Sequence, residues 1–202
     1  MIEIIVRILH TSLIKQNLSF VLSYVDKSRK EKAERFRNEK DQLLSLGAGY
    51  LMKKYLPEGE IKIMESGKPY LPNGPFFNVS HSGEYVVLAI HPSLDVGIDI
   101  ERIASHKIEG IQFVLNEEEK SIKDVDTLFR IWSNKESLTK CLASGLKDIK
   151  NVNGHPLEGM RLIIDECYYV KSMLYDDYSL SVTLKGKEPF NININQVNIL
   201  EN

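Results

Sequence analysis

The region from Glu60 to Ile103 constrains the fold most, because it breaks into short apolar runs that no long helix accommodates. The runs EIKIME, FFNVS, YVVLAIH and DVGIDIERI are separated by SGKPYLPNGP, HSGE and HPSL, whose Gly, Pro, Asn and Ser are turn formers. Such a stretch folds as a compact sheet. Ahead of it, IEIIVRIL alternates, with Ile2, Ile4, Val6 and Ile8 on one side, and reads as an opening strand. A helical stretch follows. In DQLLSLGAGYLMKKYL, Leu43, Leu46, Tyr50, Met52 and Leu56 fall near helical spacing before Pro57, as in a core-facing helix.

From Ile108 the pattern returns to helix. NEEEKSIKD carries acidic residues suited to a helix start, and DTLFRIWSNKESLTKCLAS is the longest helix candidate, with Gly145 expected to end it. From about Met160 to Leu200, MRLIIDECYYVKSMLY, YSLSVTLKG and FNININQVNIL alternate apolar with polar residues, as a second antiparallel sheet would. The order is thus strand, helices, strands, then helices, strands, a helices-then-strands pattern occurring twice within the 202 residues. It predicts an α+β fold, a pseudo-two-fold chain of two similar α+β halves with antiparallel sheets, spanning 1–105 and 106–202.

Charge excludes some functions. Lys and Arg number 26 against 28 Asp and Glu, a net charge of −2, which argues against coating nucleic acid by bulk electrostatics. The exception is local: KSRKEKAERFRNEK, from Lys27 to Lys40, holds seven basic and three acidic residues, a net of +4. No apolar run approaches the roughly 18 residues of a membrane span. The first segment carries Glu3 and Arg7 and lacks the pattern of a leader, so a cytoplasmic monomer with no nucleic-acid or membrane partner is expected. Cys141 and Cys167 lack CxxC spacing and read as reduced thiols.

Three stretches could carry chemistry. In DVGIDIERI, side chains alternate along the strand, so Asp99 and Glu101 share a face and repel unless a cation lies between them. Carboxylate oxygens beside a phosphate are usual surroundings for Mg²⁺, although a surface strand showing its polar face has the same pattern. Gly97 lets a ligand or a neighbouring strand approach the backbone. In FRIWSNKESLTKCLASGL, Trp132, Glu136 and Lys140 lie along one helical face. A solvated Glu–Lys pair worth about 0.2–0.5 kcal/mol reads the same way. In GKPYLPNGPFFNVSHSG, Lys68, Ser80 and His81 suit phosphate recognition, while His81 also suits a hydrogen-bonded turn. His10, His91, His106 and His155 have no comparable setting.

Together and in this order, GKP at 67–69, NVSHS at 78–82, GIDIE at 97–101 and WSNKESLTK at 132–140 resemble the signatures of 4′-phosphopantetheinyl transferases of the surfactin-synthetase-activating type. The resemblance covers roughly residues 20 to 145. It implies coenzyme A held between two α+β halves, with Mg²⁺ bridging its pyrophosphate. By that likeness Asp99, Glu101 and Glu136 are the metal carboxylates. Glu136 is also the base for an incoming serine, and Lys140 steadies a phosphate. Arg29, Lys32, Ser45, Lys68, Ser80 and His81 match coenzyme-binding positions.

The implied reaction transfers phosphopantetheine to a serine of an apo acyl or peptidyl carrier protein, an acidic helical partner, and releases 3′,5′-ADP. Two features depart from the family pattern. Leu44 stands three residues after Asp41, where arginine is frequent, and FVLNEEE replaces F-[ST]-x-x-E, so that Glu118 is matched to a further acidic position only by register. A non-catalytic coenzyme A-binding protein of the same ancestry, or an interaction module with a solvated carboxylate face, are the rival readings.

Overall fold

The computed structural model describes residues 2–144, 149–150 and 152–200. Strand β1 (Ile2–His10) leads into four helices, α1 (Thr11–Gln16), α2 (Leu18–Tyr24), α3 (Lys27–Glu34) and α4 (Glu39–Tyr55). A small hairpin, β2 (Lys62–Ile63) and β3 (Pro69–Tyr70), precedes β4 (Phe76–Ser82), β5 (Tyr85–His91) and β6 (Val96–Arg102). The short α5 (Ile108–Gln112) and the long α6 (Val125–Leu142) follow, then β7 (Glu158–Ile163), β8 (Glu166–Tyr175), β9 (Tyr178–Lys185) and β10 (Phe190–Gln196).

Two four-stranded sheets, ordered β10-β1-β5-β4 and β6-β9-β8-β7, form the frame. Their facing sides share one core, in which Ile4, Val6 and Ile8 of β1 meet Ile98 and Ile100 of β6 and Leu180 and Val182 of β9. Each sheet is covered on its other face by a helix. Leu43, Leu46, Tyr50 and Leu51 of α4 pack on Leu9, Val86 and Leu88, and α6 sets Leu138 and Cys141 against Tyr168 and Val170 of β8. The α+β architecture of two halves with antiparallel sheets is therefore as expected.

Several details differ from the sequence reading. The cationic segment 27–40 is divided between two helices: α3 stops at Glu34, and Asn38, whose Oδ1 accepts from the Lys40 amide at 2.8 Å, opens α4. NEEEKSIKD does not begin the long helix. It forms a single 3₁₀ turn, and Asp124 caps α6 by accepting from the Thr127 amide at 2.9 Å. The same helix ends on Ala143 in the left-handed conformation, φ 54°; the expected stop at Gly145 lies outside the described residues. MRLIIDECYYVKSMLY is two strands joined at Ile164–Asp165.

The largest difference is β10, expected in the second sheet. It returns to the first and runs parallel to β1, with Ile4 opposite Ile192. β6, ahead of residue 105, belongs to the second sheet. Sheet membership thus crosses that position in both directions.

Candidate active site

The two sheets meet along β4 and β6, each an edge strand of its own sheet. An edge strand leaves alternate amides unpaired, and buried amides need partners. The motif NVSHS supplies them. Asn78 Oδ1 accepts from the Ile98 amide at 2.9 Å, Ser80 Oγ from Ile100 at 3.5 Å and Ser82 Oγ from Arg102 at 3.1 Å. Ser80 and Ser82 also donate to Asp99 Oδ1 and Glu101 Oε2, both at 2.9 Å. These side chains form a ladder between the halves.

Opposite the ladder, α6 lies close to β6. A Cβ at Gly97 would collide with the Ser137 carbonyl oxygen and crowd the Cys141 amide at 2.6 Å, so this glycine admits a helix. That approach brings Lys140 Nζ to 2.6 Å from Asp99 Oδ1 and 2.9 Å from Ser80 Oγ. Glu136 and Lys140 line a cavity of about 250 Å³ with Lys68, Asn78, Val79 and Thr139.

Electrostatics here is tightly coupled. Burial and the charge of Asp99 push the Glu136 carboxyl up to about 7, with Lys140 opposing and Glu101 adding to the rise. Asp99 is only 3% exposed, and burial raises its pKa although Lys140 and Ser80 pull the other way. Among the described residues its buried Oδ2 has no hydrogen-bond partner. The His81 ring keeps contact with solvent, but desolvation by the surrounding protein and the nearby Lys140 charge hold it below its ordinary value.

The structure thus brings Ser80, Asp99, Glu101, Glu136, Lys140 and Lys68 to one seam, with His81 beside them. Lys68 turns inward: its ammonium donates to the Cys141 and Val96 carbonyls at 3.2 and 3.3 Å, and burial lowers its pKa. Lys32 is exposed on α3, and its charge reaches His81. Arg29 lies against Gly49 of α4, where burial lowers its pKa. Ser45 is 5% exposed, and among the described residues its Oγ has no hydrogen-bond partner. No hydrogen bond or ion pair joins Arg29, Lys32 or Ser45 to the carboxylates among the described residues.

Among the described residues, no three His, Cys, Asp or Glu side chains are assembled as a metal cluster. Ammonium groups stand beside the carboxylates instead, Lys140 at Asp99 and Lys107 Nζ at 2.8 Å from Glu101 Oε2. Carboxylate oxygen is nonetheless the donor chemistry that a hard divalent cation takes. Among the described residues Asp99 Oδ2 is a buried oxygen with no hydrogen-bond partner, and Glu136 responds to the charges of both Asp99 and Glu101.

Sequence reasoning missed Lys107, Ser82 and the pair Lys135–Glu119. Lys135 Nζ lies 2.8 Å from Glu119 Oε2, with the two side chains 0% and 1% exposed. Of the three consecutive glutamates, Glu119 is the buried one, whereas Glu118 is exposed and away from the carboxylate seam's hydrogen bonds. The signal was present as N-x-x-E: Asn116 Oδ1 accepts from the Glu119 amide and Glu119 Oε2 from the Asn116 amide, both at 2.9 Å.

Known families align with this frame. Residues 12–93 match the family described as 4′-phosphopantetheinyl transferase, N-terminal, and residues 95–183 match the 4′-phosphopantetheinyl transferase superfamily. The chain belongs to the 4′-phosphopantetheinyl transferase superfamily, and the expected surfactin-synthetase-activating type is borne out. It is 35% identical over 145 residues to the 4′-phosphopantetheinyl transferase gsp of Aneurinibacillus migulanus, covering 63% of this chain and 60% of that protein. It is 30% identical over 143 residues to the transferase ffp of Bacillus subtilis, covering 62% and 63%. The human L-aminoadipate-semialdehyde dehydrogenase-phosphopantetheinyl transferase is 29% identical over 152 residues, covering 60% of this chain and 49% of that protein. The matches span about half to three-fifths of these relatives.

Proposed function

We propose that the protein transfers the 4′-phosphopantetheine group from coenzyme A to a serine hydroxyl of an apo acyl or peptidyl carrier protein, releasing 3′,5′-ADP. The observation that carries this reading is Glu136, a carboxyl pushed up to about 7 in a cavity it shares with Lys140, beside Asp99. A base near neutrality can accept the serine proton as its oxygen attacks the β-phosphorus. The bond from that phosphorus to the departing 3′,5′-ADP then breaks, and Lys140 offsets the charge that develops on phosphate oxygens.

Lys68, Ser80 and His81, with Arg29, Lys32 and Ser45, would bind coenzyme A, with Arg29 and Lys32 toward its 3′-phosphate. Asp99, Glu101 and Glu136 would hold Mg²⁺, which supplies neutralisation of the pyrophosphate charge when bound. Both walls of the cleft come from one chain, so a monomer suffices. No helix among the described residues is long and apolar enough to cross a membrane, and a cytoplasmic site of action suits coenzyme A as substrate.

Mass spectrometry of an apo carrier protein incubated with the protein, coenzyme A and Mg²⁺ tests the reading. The added phosphopantetheine mass is expected. A thermal shift with coenzyme A but no product would identify a non-catalytic binder, and no shift at all would remove the coenzyme from the account. An acidic carrier would meet the cationic segment 27–40, so its apparent KM should rise with salt as screening weakens the encounter; a flat salt series would exclude charge-guided docking.

A further inference from the structure

Strand β9 reads in sequence as half-exposed, with Ser179, Ser181 and Thr183 alternating with Leu180, Val182 and Leu184. In the structure both faces are buried, and all three hydroxyl residues are 0% exposed. The sheet register sets Ser179 opposite Glu101, Ser181 opposite Asp99 and Thr183 opposite Gly97. The hydroxyls therefore share a face with the carboxylates, and α6 covers that face. Ser133 Oγ of α6 lies 2.6 Å from both Ser179 Oγ and Ser181 Oγ, and Ser137 Oγ lies 2.8 Å from Thr183 Oγ1.

Burying hydroxyls costs desolvation that aliphatic side chains would avoid. What hydrogen bonds add is direction, since they weaken steeply away from their preferred distance and angle, whereas apolar packing is non-directional. Ser133 and Ser137 stand one helical turn apart, as do Glu136 and Lys140 on the neighbouring stripe. A rotation of α6 by roughly 10° would move a side-chain end about 6 Å from the helix axis by about 1 Å.

We propose that this buried hydroxyl seam fixes the rotation of α6 on β9, which makes Ser133, Ser137, Ser179, Ser181 and Thr183 positioning residues for Glu136 and Lys140. The catalytic consequence rests on the transferase reading above. Two variants remove the bonds without leaving an unpaired hydroxyl: Ser137→Ala with Thr183→Val, and Ser133→Ala with Ser179→Ala and Ser181→Ala. Each is expected to fold while kcat falls by about ten-fold or more. The KM for coenzyme A should stay within about two-fold of the parent, and Thr183→Ser, which retains the hydroxyl, should keep the parent kcat.

Retained kcat in both folded variants overturns the proposal, as does an equal loss in Thr183→Ser or failure of both variants to fold. Trp132, the one tryptophan, is partly buried on the same helix and gives a readout independent of turnover. Its emission and acrylamide quenching should change in both variants. If the parent modifies no carrier, the transferase reading fails on that result alone, and unchanged Trp132 emission in the variants then overturns the seam as well.

Discussion

Glu136 is the residue whose chemistry depends most on its surroundings. An ordinary glutamate is ionised at neutral pH and too weak a base to take a serine proton. Burial and Asp99 push this one to about 7. Glu136→Gln should therefore lower transfer by about 10²–10⁴-fold, read as product mass per unit time. Stability depends on the same shift. The folded carboxyl holds its proton up to about 7 and the unfolded one only to about 4.5, so the folded state binds more protons between them and loses stability as pH rises through that window. Urea midpoints at about pH 5 and about pH 8 should show the parent weakening relative to Glu136→Gln; parallel curves would remove the shifted carboxyl from the account.

At the scale of elements, most of the motif on α6 is structural. Ser133, Asn134, Lys135 and Ser137 all face inward, and Glu136 and Lys140 are presented to the cleft by what those four hold. Lys135 is the stiffest anchor. Its ammonium bonds the Val114 carbonyl at 2.9 Å as well as Glu119, whose other oxygen accepts from the Gly154 amide at 2.7 Å. Lys135→Met leaves Glu119 buried without its cation and should cost about 3–5 kcal/mol, while adding Glu119→Gln should return part of that loss. Urea unfolding of the two variants decides it: no recovery in the double variant means the loss is packing rather than charge. Gly97→Ala should cost about 1–3 kcal/mol and lower transfer together, because the new methyl forces α6 off β6. A variant with parental stability would contradict the observed clearance.

The elements were legible where one period governs one face. Alternation in β1, short apolar runs bounded by turn formers in β4, β5 and β6, and helical spacing in α4 located those segments, and the motif order pointed to Asp99, Glu101, Glu136 and Lys140. Polarity misled wherever it was buried. YSLSVTL shows the same alternation whether its serines meet water or α6, and three consecutive glutamates differ only through the hydrogen bonds that bury Glu119. Partnership between distant strands is not written in either strand, so the return of β10 to β1 had no local signal.

That return makes the whole molecule one interlocked unit rather than two beads. β10 lies across 105 from the sheet it completes, where Phe190 joins the inter-sheet core beside Ile4 and Val6. β6 lies on the near side of 105 yet carries Asp99 and Glu101 into the second sheet. A chain divided after residue 105 would leave the first fragment without β10 and the second without β6. Each would expose an unpaired strand edge and half of the shared core. Neither fragment alone should show a cooperative urea transition by circular dichroism, whereas the intact chain should unfold in a single step. Mixing the fragments should restore ordered structure in proportion to their concentration, since association then substitutes for chain connectivity. A fragment 1–105 that melted cooperatively by itself would mean that its sheet is stable without β10, and that the ladder from β4 to β6 joins two independently folded bodies instead of closing one.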